Sequence, residues 1–189
     1  MLSPALFIAF LGGILPTLLW LSFWLLEDRA HPEPKRYIFF CFLAGMLTVP
    51  FVLPLEKLAL EYMSGVSLLF VWAFVEEIFK FGAAYLVALR SRVFDEPLDA
   101  VIYLVTAALG FSAAENALFL LSPLNEGNVL QTIITGDLRF IGATLLHTLS
   151  SATIGIALAF AYYQGASARR FAATVGVILA VALHTLFNF

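Results

Sequence analysis

The sequence predicts an all-helical integral membrane protein, a bundle of about six transmembrane helices. Of its 189 residues, 62% are hydrophobic and only 12% are charged. The mean hydropathy is +0.97, and all three values lie far from those of soluble domains. Several apolar segments have the roughly 20 residues that a membrane-spanning helix needs. Because the loops between them are short and polar, we expect one membrane domain over residues 1–189.

The apolar segments follow one another with little chain left over. They cover, approximately, residues 2–26, 37–55, 65–89, 99–121, 141–163 and 171–189. The first has no basic stretch before it and is longer than the apolar core of a secretory signal peptide, so we expect it to be retained. Pro50 and Pro54 are expected to end or bend the second segment. The third is accepted despite its charges because both of its flanks are strongly apolar.

The fourth and fifth segments each suggest a further feature. Small residues such as Ala107, Gly110 and Ala113 recur along the fourth segment. Small side chains let membrane helices approach closely, so we expect this helix at the centre of the bundle. Before the fifth segment, residues 128–138 predict a short interfacial helix.

Lysine and arginine are distributed unequally between alternate loops. One set of loops holds Arg29, Lys35, Arg36, Arg90, Arg92, Arg169 and Arg170, and the opposite set holds Lys57 and Arg139. Since basic loops stay in the cytoplasm, both termini are predicted to be extracytoplasmic.

The charge and cysteine content argue against nucleic-acid binding and against an intrachain disulfide. The net charge is -3 and the basic residues form only short clusters, so we expect no nucleic-acid partner. The single Cys41 has no partner for an intrachain disulfide.

Polar side chains nevertheless lie inside the apolar segments. They are Glu76, Glu77, Lys80, Glu115, Asn116, His147, His184 and Asn188. A charge at mid-bilayer costs about 2.5–3.5 kcal/mol, so four isolated charges would cost on the order of 10–14 kcal/mol. Lys80 is four residues after Glu76 and three after Glu77, which puts all three on one helix face.

These groups share a depth in the membrane. Counted from the cytoplasmic ends of their segments, Glu77, Glu115, His147 and His184 all lie about 20–24 Å from the inner face. Four helices therefore deliver polar groups to one layer in the outer half of the bilayer, which predicts a common pocket. Such groups are expected to be functional rather than isolated.

The motifs in this layer resemble those of the PrsW family of intramembrane proteases, which is distantly related to the CAAX prenyl endopeptidases. The matching elements are Glu76-Glu77-x-x-Lys80, Phe111-x-x-x-Glu115-Asn116, His147-x-x-x-Ser151 and His184-x-x-x-Asn188. Where CAAX-type enzymes have a histidine, this chain has Glu115, which fits PrsW better. The resemblance covers about residues 70–189.

The resemblance implies cleavage of a membrane-anchored, anti-sigma-factor-like protein near the extracytoplasmic half of the bacterial plasma membrane. The site residues would be Glu76, Glu77, Lys80, Glu115, His147, His184 and Asn188. One carboxylate of the Glu76–Glu77 pair would act as general base. Glu115, His147 and His184 form an ordinary zinc-binding set. In a metal-free alternative, His184 and Asn188 donate to the oxyanion.

Two other functions remain open from the sequence. Intramembrane Glu, His and Lys also build proton relays, so a small proton- or ion-coupled transporter is one alternative. A non-catalytic relative that binds a membrane partner is another. The polar groups form one layer rather than a chain across the bilayer, and no inverted repeat is evident, which favours the protease.

Overall fold

The computed structural model describes residues 3–29 and 31–188 and is helical almost throughout. The helices are α1 (Pro4–Glu27), α2 (Lys35–Tyr62), α3 (Gly65–Ala84), α4 (Asp99–Asn125), α5 (Val129–Leu138), α6 (Thr144–Phe160) and α7 (Ala166–Asn188). A π-helical turn extends α3 over Tyr85–Leu89, and a second one, Arg139–Ala143, joins α5 to α6. The predicted all-helical fold is confirmed.

Five helices are long and apolar enough to cross a membrane: α1, α2, α4, the joined α5–α6 and α7. Helix α3 carries three charged residues, Glu76, Glu77 and Lys80, within its apolar sequence. It has 20 residues and its π-helical turn adds five, so it too has the length of a span. The chain is a multi-pass membrane protein.

One predicted helix boundary is wrong. Helix α2 runs through Pro50 and Pro54 to Tyr62 instead of ending near residue 55. Prolines are tolerated inside membrane helices because neighbouring groups satisfy the freed backbone. The short helix predicted at residues 128–138 is confirmed as α5, and the π-helical turn joins it to α6.

Helix α4 lies at the centre of the bundle, as its small residues predict, and packs against α1, α2 and α6. At Gly45 an added Cβ would lie 2.0 Å from the carbonyl oxygen of Ala107, and at Gly110 it would lie 1.9 Å from that of Phe42. These glycines therefore allow backbone contact between α2 and α4. This packing fixes α4 against the helices that carry the other polar groups.

The reversal between α2 and α3 brings the ends of these helices together. Gly65 begins α3 with φ +60°, a left-handed conformation that favours glycine. The indole N–H of Trp72 on α3 then donates to the carbonyl oxygen of Glu56 on α2, at 3.0 Å. The carboxyl group of Glu56 interacts with that of Glu76, so α2 also contributes to the polar region.

Candidate active site

Buried and half-buried polar groups from α3, α4, α6, α7 and the π-helical turn before α6 meet inside the bundle, and we call this group the membrane cluster. It consists of Glu76, Glu77, Lys80, Glu115, Arg139, His147, Ser151 and His184, linked by hydrogen bonds and ion pairs. The side chains that the sequence places in one layer are thus in contact.

Glu77 is the best-bonded carboxylate of the membrane cluster. Its Oε1 accepts from Lys80 Nζ at 2.7 Å and lies 2.8 Å from His184 Nδ1. Its Oε2 accepts from the hydroxyl of Ser151 at 3.0 Å. Both oxygens are occupied by donors from three helices, so this fully buried group is an anchor between α3, α6 and α7.

The hydrogen bonds determine the protonation pattern of the two histidines. An ionised Glu77 can only accept, so Nδ1 of His184 carries the proton and its Nε2 keeps a lone pair. Lys80 Nζ can only donate, so Nδ1 of His147, 3.0 Å away, is an acceptor. The Nε2 of His147 then donates to Glu115 Oε2 at 2.9 Å. These tautomers are assigned from the hydrogen-bond network.

Glu76 lies close to the acceptor nitrogen of each histidine. Its Oε2 lies 3.5 Å from His147 Nδ1 and 3.8 Å from His184 Nε2. That oxygen is buried and has no hydrogen-bond partner among the described residues. It is therefore a buried carboxylate oxygen that accepts no hydrogen bond, and its nearest cation is the ammonium group of Lys80 at 3.5 Å.

Glu76, His147 and His184 form the possible metal-binding group of the described residues, with ligand atoms all within 4.8 Å of one another. Metal-binding histidines usually donate their other N–H to a carboxylate, and here Glu115 and Glu77 occupy those positions. The unpartnered oxygen of Glu76 and the orientation of both rings fit a divalent cation.

The carboxylate in this group differs from the predicted one. The sequence suggests Glu115 as the third ligand, whereas the structure places Glu76 there. Glu115 instead pairs with Arg139, at 2.5 Å, and with the outer nitrogen of His147. Helical spacing predicts the depth of a side chain but not which side chain of another helix it contacts. The third metal ligand depends on that contact.

Arg139 is the main site residue that the sequence does not reveal, because it lies in a segment predicted as a loop. The π-helical turn carries it against α4, where its Nε donates to Asn116 Oδ1 at 2.6 Å. Its guanidinium group lies 3.9 Å above the ring of Phe119. The sequence offers one indication of Arg139, a basic residue close to the predicted depth of Glu115. π-Helical turns often occur at functional sites.

One remaining predicted site residue lies at the surface. Asn188 is exposed at the end of α7, four residues beyond the buried His184. His31, the third histidine of the chain, is exposed in the loop before α2 and outside the membrane cluster. Glu56, whose position on α2 the sequence does not predict, is half-buried beside the membrane cluster.

The charges of the membrane cluster do not cancel. Glu76, Glu77 and Glu115 supply three negative charges if ionised, whereas Lys80 and Arg139 supply two positive ones. Both histidines are neutral in the hydrogen-bond pattern described above. One further proton or a bound cation would compensate the remaining negative charge, and an uncompensated charge is costly at this depth.

The chain matches the family model of PrsW intramembrane metalloproteases over residues 33–189. Protease PrsW of Geobacillus kaustophilus is 27% identical over 183 residues, which cover 94% of this chain and 76% of the relative. Protease PrsW of Clostridioides difficile is 29% identical over 189 residues, or 95% and 77% of the two chains. That of Bacillus subtilis is 25% identical over 182 residues, or 94% and 80%.

No solved structure matches the chain. The family match covers most of the sequence and includes every helix of the membrane cluster. The chain therefore belongs to the PrsW family of intramembrane metalloproteases and is a multi-pass bacterial membrane peptidase.

Proposed function

We propose that this peptidase cleaves a membrane-anchored, anti-sigma-factor-like protein in the extracytoplasmic half of the membrane, with Glu76 as the reactive carboxylate. The supporting observation is the unpartnered Glu76 Oε2, which faces the lone-pair nitrogens of two histidines. The proposed orientation, with both termini outside, rests on the charge bias of the loops.

The two adjacent carboxylates have different roles in this proposal. Glu76 has a free oxygen, so it can bind a metal ion or accept a proton from water. Glu77 is already bonded to Lys80, Ser151 and His184. Glu77 thus positions the imidazole of His184 rather than contacting the substrate.

We further propose that Glu76, His147 and His184 hold Zn²⁺. Bound zinc would supply a Lewis acid and lower the pKa of a coordinated water. Lys80 Nζ contacts His147 Nδ1 at 3.0 Å and Glu76 Oε2 at 3.5 Å. The ammonium group therefore competes with a metal for two of the three ligand atoms, and metal binding is expected to weaken its hold on them.

The remaining polar groups would support the reaction through charge and orientation. Glu115 holds the outer nitrogen of His147, and Arg139 holds Glu115. Lys80 and Arg139 contribute positive charge next to the developing oxyanion. Asn188 lies one helical turn beyond His184 on an exposed helix end, where we propose that it contacts the substrate backbone.

Cleavage by the purified protein in lipid nanodiscs tests this function, with single-span proteins as substrates. We expect His147→Ala to abolish cleavage, because the ring links Glu115, Lys80 and Glu76. His31→Ala is the matched control, since it removes an exposed histidine outside the cluster, and it should cleave normally. Unchanged cleavage by a folded His147→Ala protein would refute the site.

The metal proposal has its own measurement. Elemental analysis should find about one zinc per chain, and less in the His184→Ala protein. Removal by a chelator should stop cleavage, and added zinc should restore it. Full cleavage without stoichiometric metal would reject zinc while leaving Glu76 as a candidate base.

A further inference from the structure

A groove runs along the outside of the bundle between α3, with its π-helical turn, and α7. It consists of two cavities of about 580 and 320 Å³ that share Phe81, Ala173 and Thr174 in their walls. Because of these shared residues, we treat the two cavities as one feature, the α3–α7 groove. His147, His184 and Glu76 of the membrane cluster are not part of its lining.

One end of the α3–α7 groove is strongly cationic. Arg90, Arg169 and Arg170 line it, and all three are exposed. In the part of the chain that the structure describes, none of them forms an ion pair. Helix α7 begins at Ala166 in the same wall, so the positive end of its dipole adds to the field.

The other end is apolar. Its lining includes Phe74, Ile78, Val177 and Ile178. From Phe74 to Arg90 the helix rises by about 24 Å. One leaflet with its headgroups is about 20–22 Å thick. The groove thus has the length and the polarity gradient of a single phospholipid.

We propose that the α3–α7 groove binds one anionic phospholipid. Its phosphate would contact Arg90, Arg169 and Arg170, and an acyl chain would lie against Phe81 and Ala173. Basic pockets between membrane helices are typical sites for acidic lipid headgroups. A zwitterionic lipid brings a cationic group to the same arginines, so the charge favours phosphatidylglycerol over phosphatidylcholine.

A lipid in the α3–α7 groove would affect the peptidase through α3 and α7, the two helices that it would contact. Glu77 of α3 and His184 of α7 are joined at 2.8 Å inside the bundle. The lipid would connect the same two helices on their outer side. Lipid binding itself does not depend on the proposed catalytic roles, so it can be tested with inactive protein.

Native mass spectrometry of the purified protein with added phosphatidylglycerol tests the cationic end. We expect one retained lipid, and about 30-fold weaker binding in Arg169→Gln/Arg170→Gln, from about fivefold per arginine. Arg29→Gln/Lys35→Gln is the matched control, because it removes the same charge from another loop. Equal loss in both double variants, or no loss in the first, would overturn the proposal.

A second pair of variants tests the apolar part without changing charge. Thr174→Trp places a large side chain in the groove wall, whereas Leu179→Trp places it on an exposed position of α7 outside the groove. Only the first should lose the retained lipid. Equal retention of phosphatidylcholine and phosphatidylglycerol by the native protein would contradict the role of the arginines.

Discussion

Two regions of this protein bury several carboxylates, and the negative charge of those carboxylates is compensated differently in each region. One is the membrane cluster around Glu76. The other, which we call the loop cluster, consists of Asp28, Glu33 and Asp99 at the ends of α1, α2 and α4. Each region contains a buried carboxylate oxygen without a hydrogen-bond partner among the described residues, Glu76 Oε2 and Asp99 Oδ1.

The loop cluster is held by neutral donors. Asp99 Oδ2 accepts the backbone N–H groups of Asp95 and Glu96 at 2.8 and 2.9 Å. Glu33 accepts from the hydroxyl of Tyr103. Burial, with Asp99 nearby, raises the pKa of Glu33 to about 8. A proton on Glu33 can be shared with the free oxygen of Asp99.

The difference lies in the cations. Lys80 and Arg139 lie within the membrane cluster and form ion pairs with its carboxylates. No lysine or arginine forms an ion pair with the loop cluster within residues 3–29 and 31–188. Buried acids without cations keep protons, whereas those with cations can stay ionised. The oxygen without a hydrogen-bond partner therefore lies beside a cation in the membrane cluster, whereas in the loop cluster it can accept the proton of Glu33.

The largest expected effect is on catalysis, in Glu76→Gln. We expect the cleavage rate to fall by about 10²–10⁴-fold, because Glu76 would be lost as a general base or, with metal bound, as a ligand. Stability should fall less than in Glu77→Gln, because Glu76 Oε2 accepts no hydrogen bond and lies 3.5 Å from Lys80 Nζ, against 2.7 Å for Glu77 Oε1. Single-turnover cleavage and thermal unfolding measure the two quantities. A variant that retains more than a tenth of the rate would remove Glu76 from the reaction.

Glu77→Gln should lower stability more, and cleavage less, than Glu76→Gln. Removal of this charge leaves buried Lys80 with a weaker partner, which should destabilise the protein by about 3–5 kcal/mol. Cleavage should fall by only about 10–100-fold, the usual effect of a group that orients a ligand. Denaturant unfolding measures the first change. Ser151→Ala removes one neutral donor and should destabilise the protein by about 1 kcal/mol. Equal losses of stability in Ser151→Ala and Glu77→Gln would argue against Glu77 as the anchor.

Arg139→Gln tests whether the second cation keeps Glu115 in place. The side chains of Arg139 and Glu115 are only 15% and 18% exposed, so we expect a loss of about 1.5–3 kcal/mol of stability, less than in Glu77→Gln. Cleavage should fall about tenfold because Glu115 would no longer orient His147 firmly. Arg139→Lys should not restore it, since one ammonium cannot reproduce the guanidinium contacts to Glu115 and Asn116. Full activity in Arg139→Lys would show that only the positive charge at this position matters, and not the guanidinium contacts.

The sequence predicts the parts of this comparison that depend on depth and spacing. The shared layer of Glu77, Glu115 and His147 follows from counting residues along apolar segments. The central place of α4 follows from its small residues. Neither depends on which helices are neighbours.

The rest depends on contacts between helices. The choice of Glu76 over Glu115 beside the two histidines requires the rotation of α3 and α4 about their axes. Arg139 enters the site through a π-helical turn, which no residue pattern signals. The loop cluster joins Glu33 to Tyr103, 70 positions apart, by a hydrogen bond that hydropathy cannot reveal.

The smallest expected effect on cleavage is in Glu33→Gln, which should change only the pH dependence of stability. The folded protein holds a proton on Glu33 up to about pH 8, whereas an unfolded glutamate releases it near pH 4.5. Between these values the folded state binds more protons, so its stability falls as pH rises. Glu33→Gln should remove up to about 1.4 kcal/mol of this loss per pH unit.

Denaturant unfolding at several values between pH 5 and 9 measures this slope, with exposed Glu61→Gln on α2 as the matched control. Because the loop cluster contains none of the proposed catalytic groups, cleavage by Glu33→Gln should equal that of the native protein. The groups that face Glu33 and could mask its titration are Asp28, His31, Arg92, Asp95, Asp99 and Tyr103. An unchanged slope would mean that Glu33 is ionised, and that a buried carboxylate does not keep a proton even where no cation forms an ion pair with it.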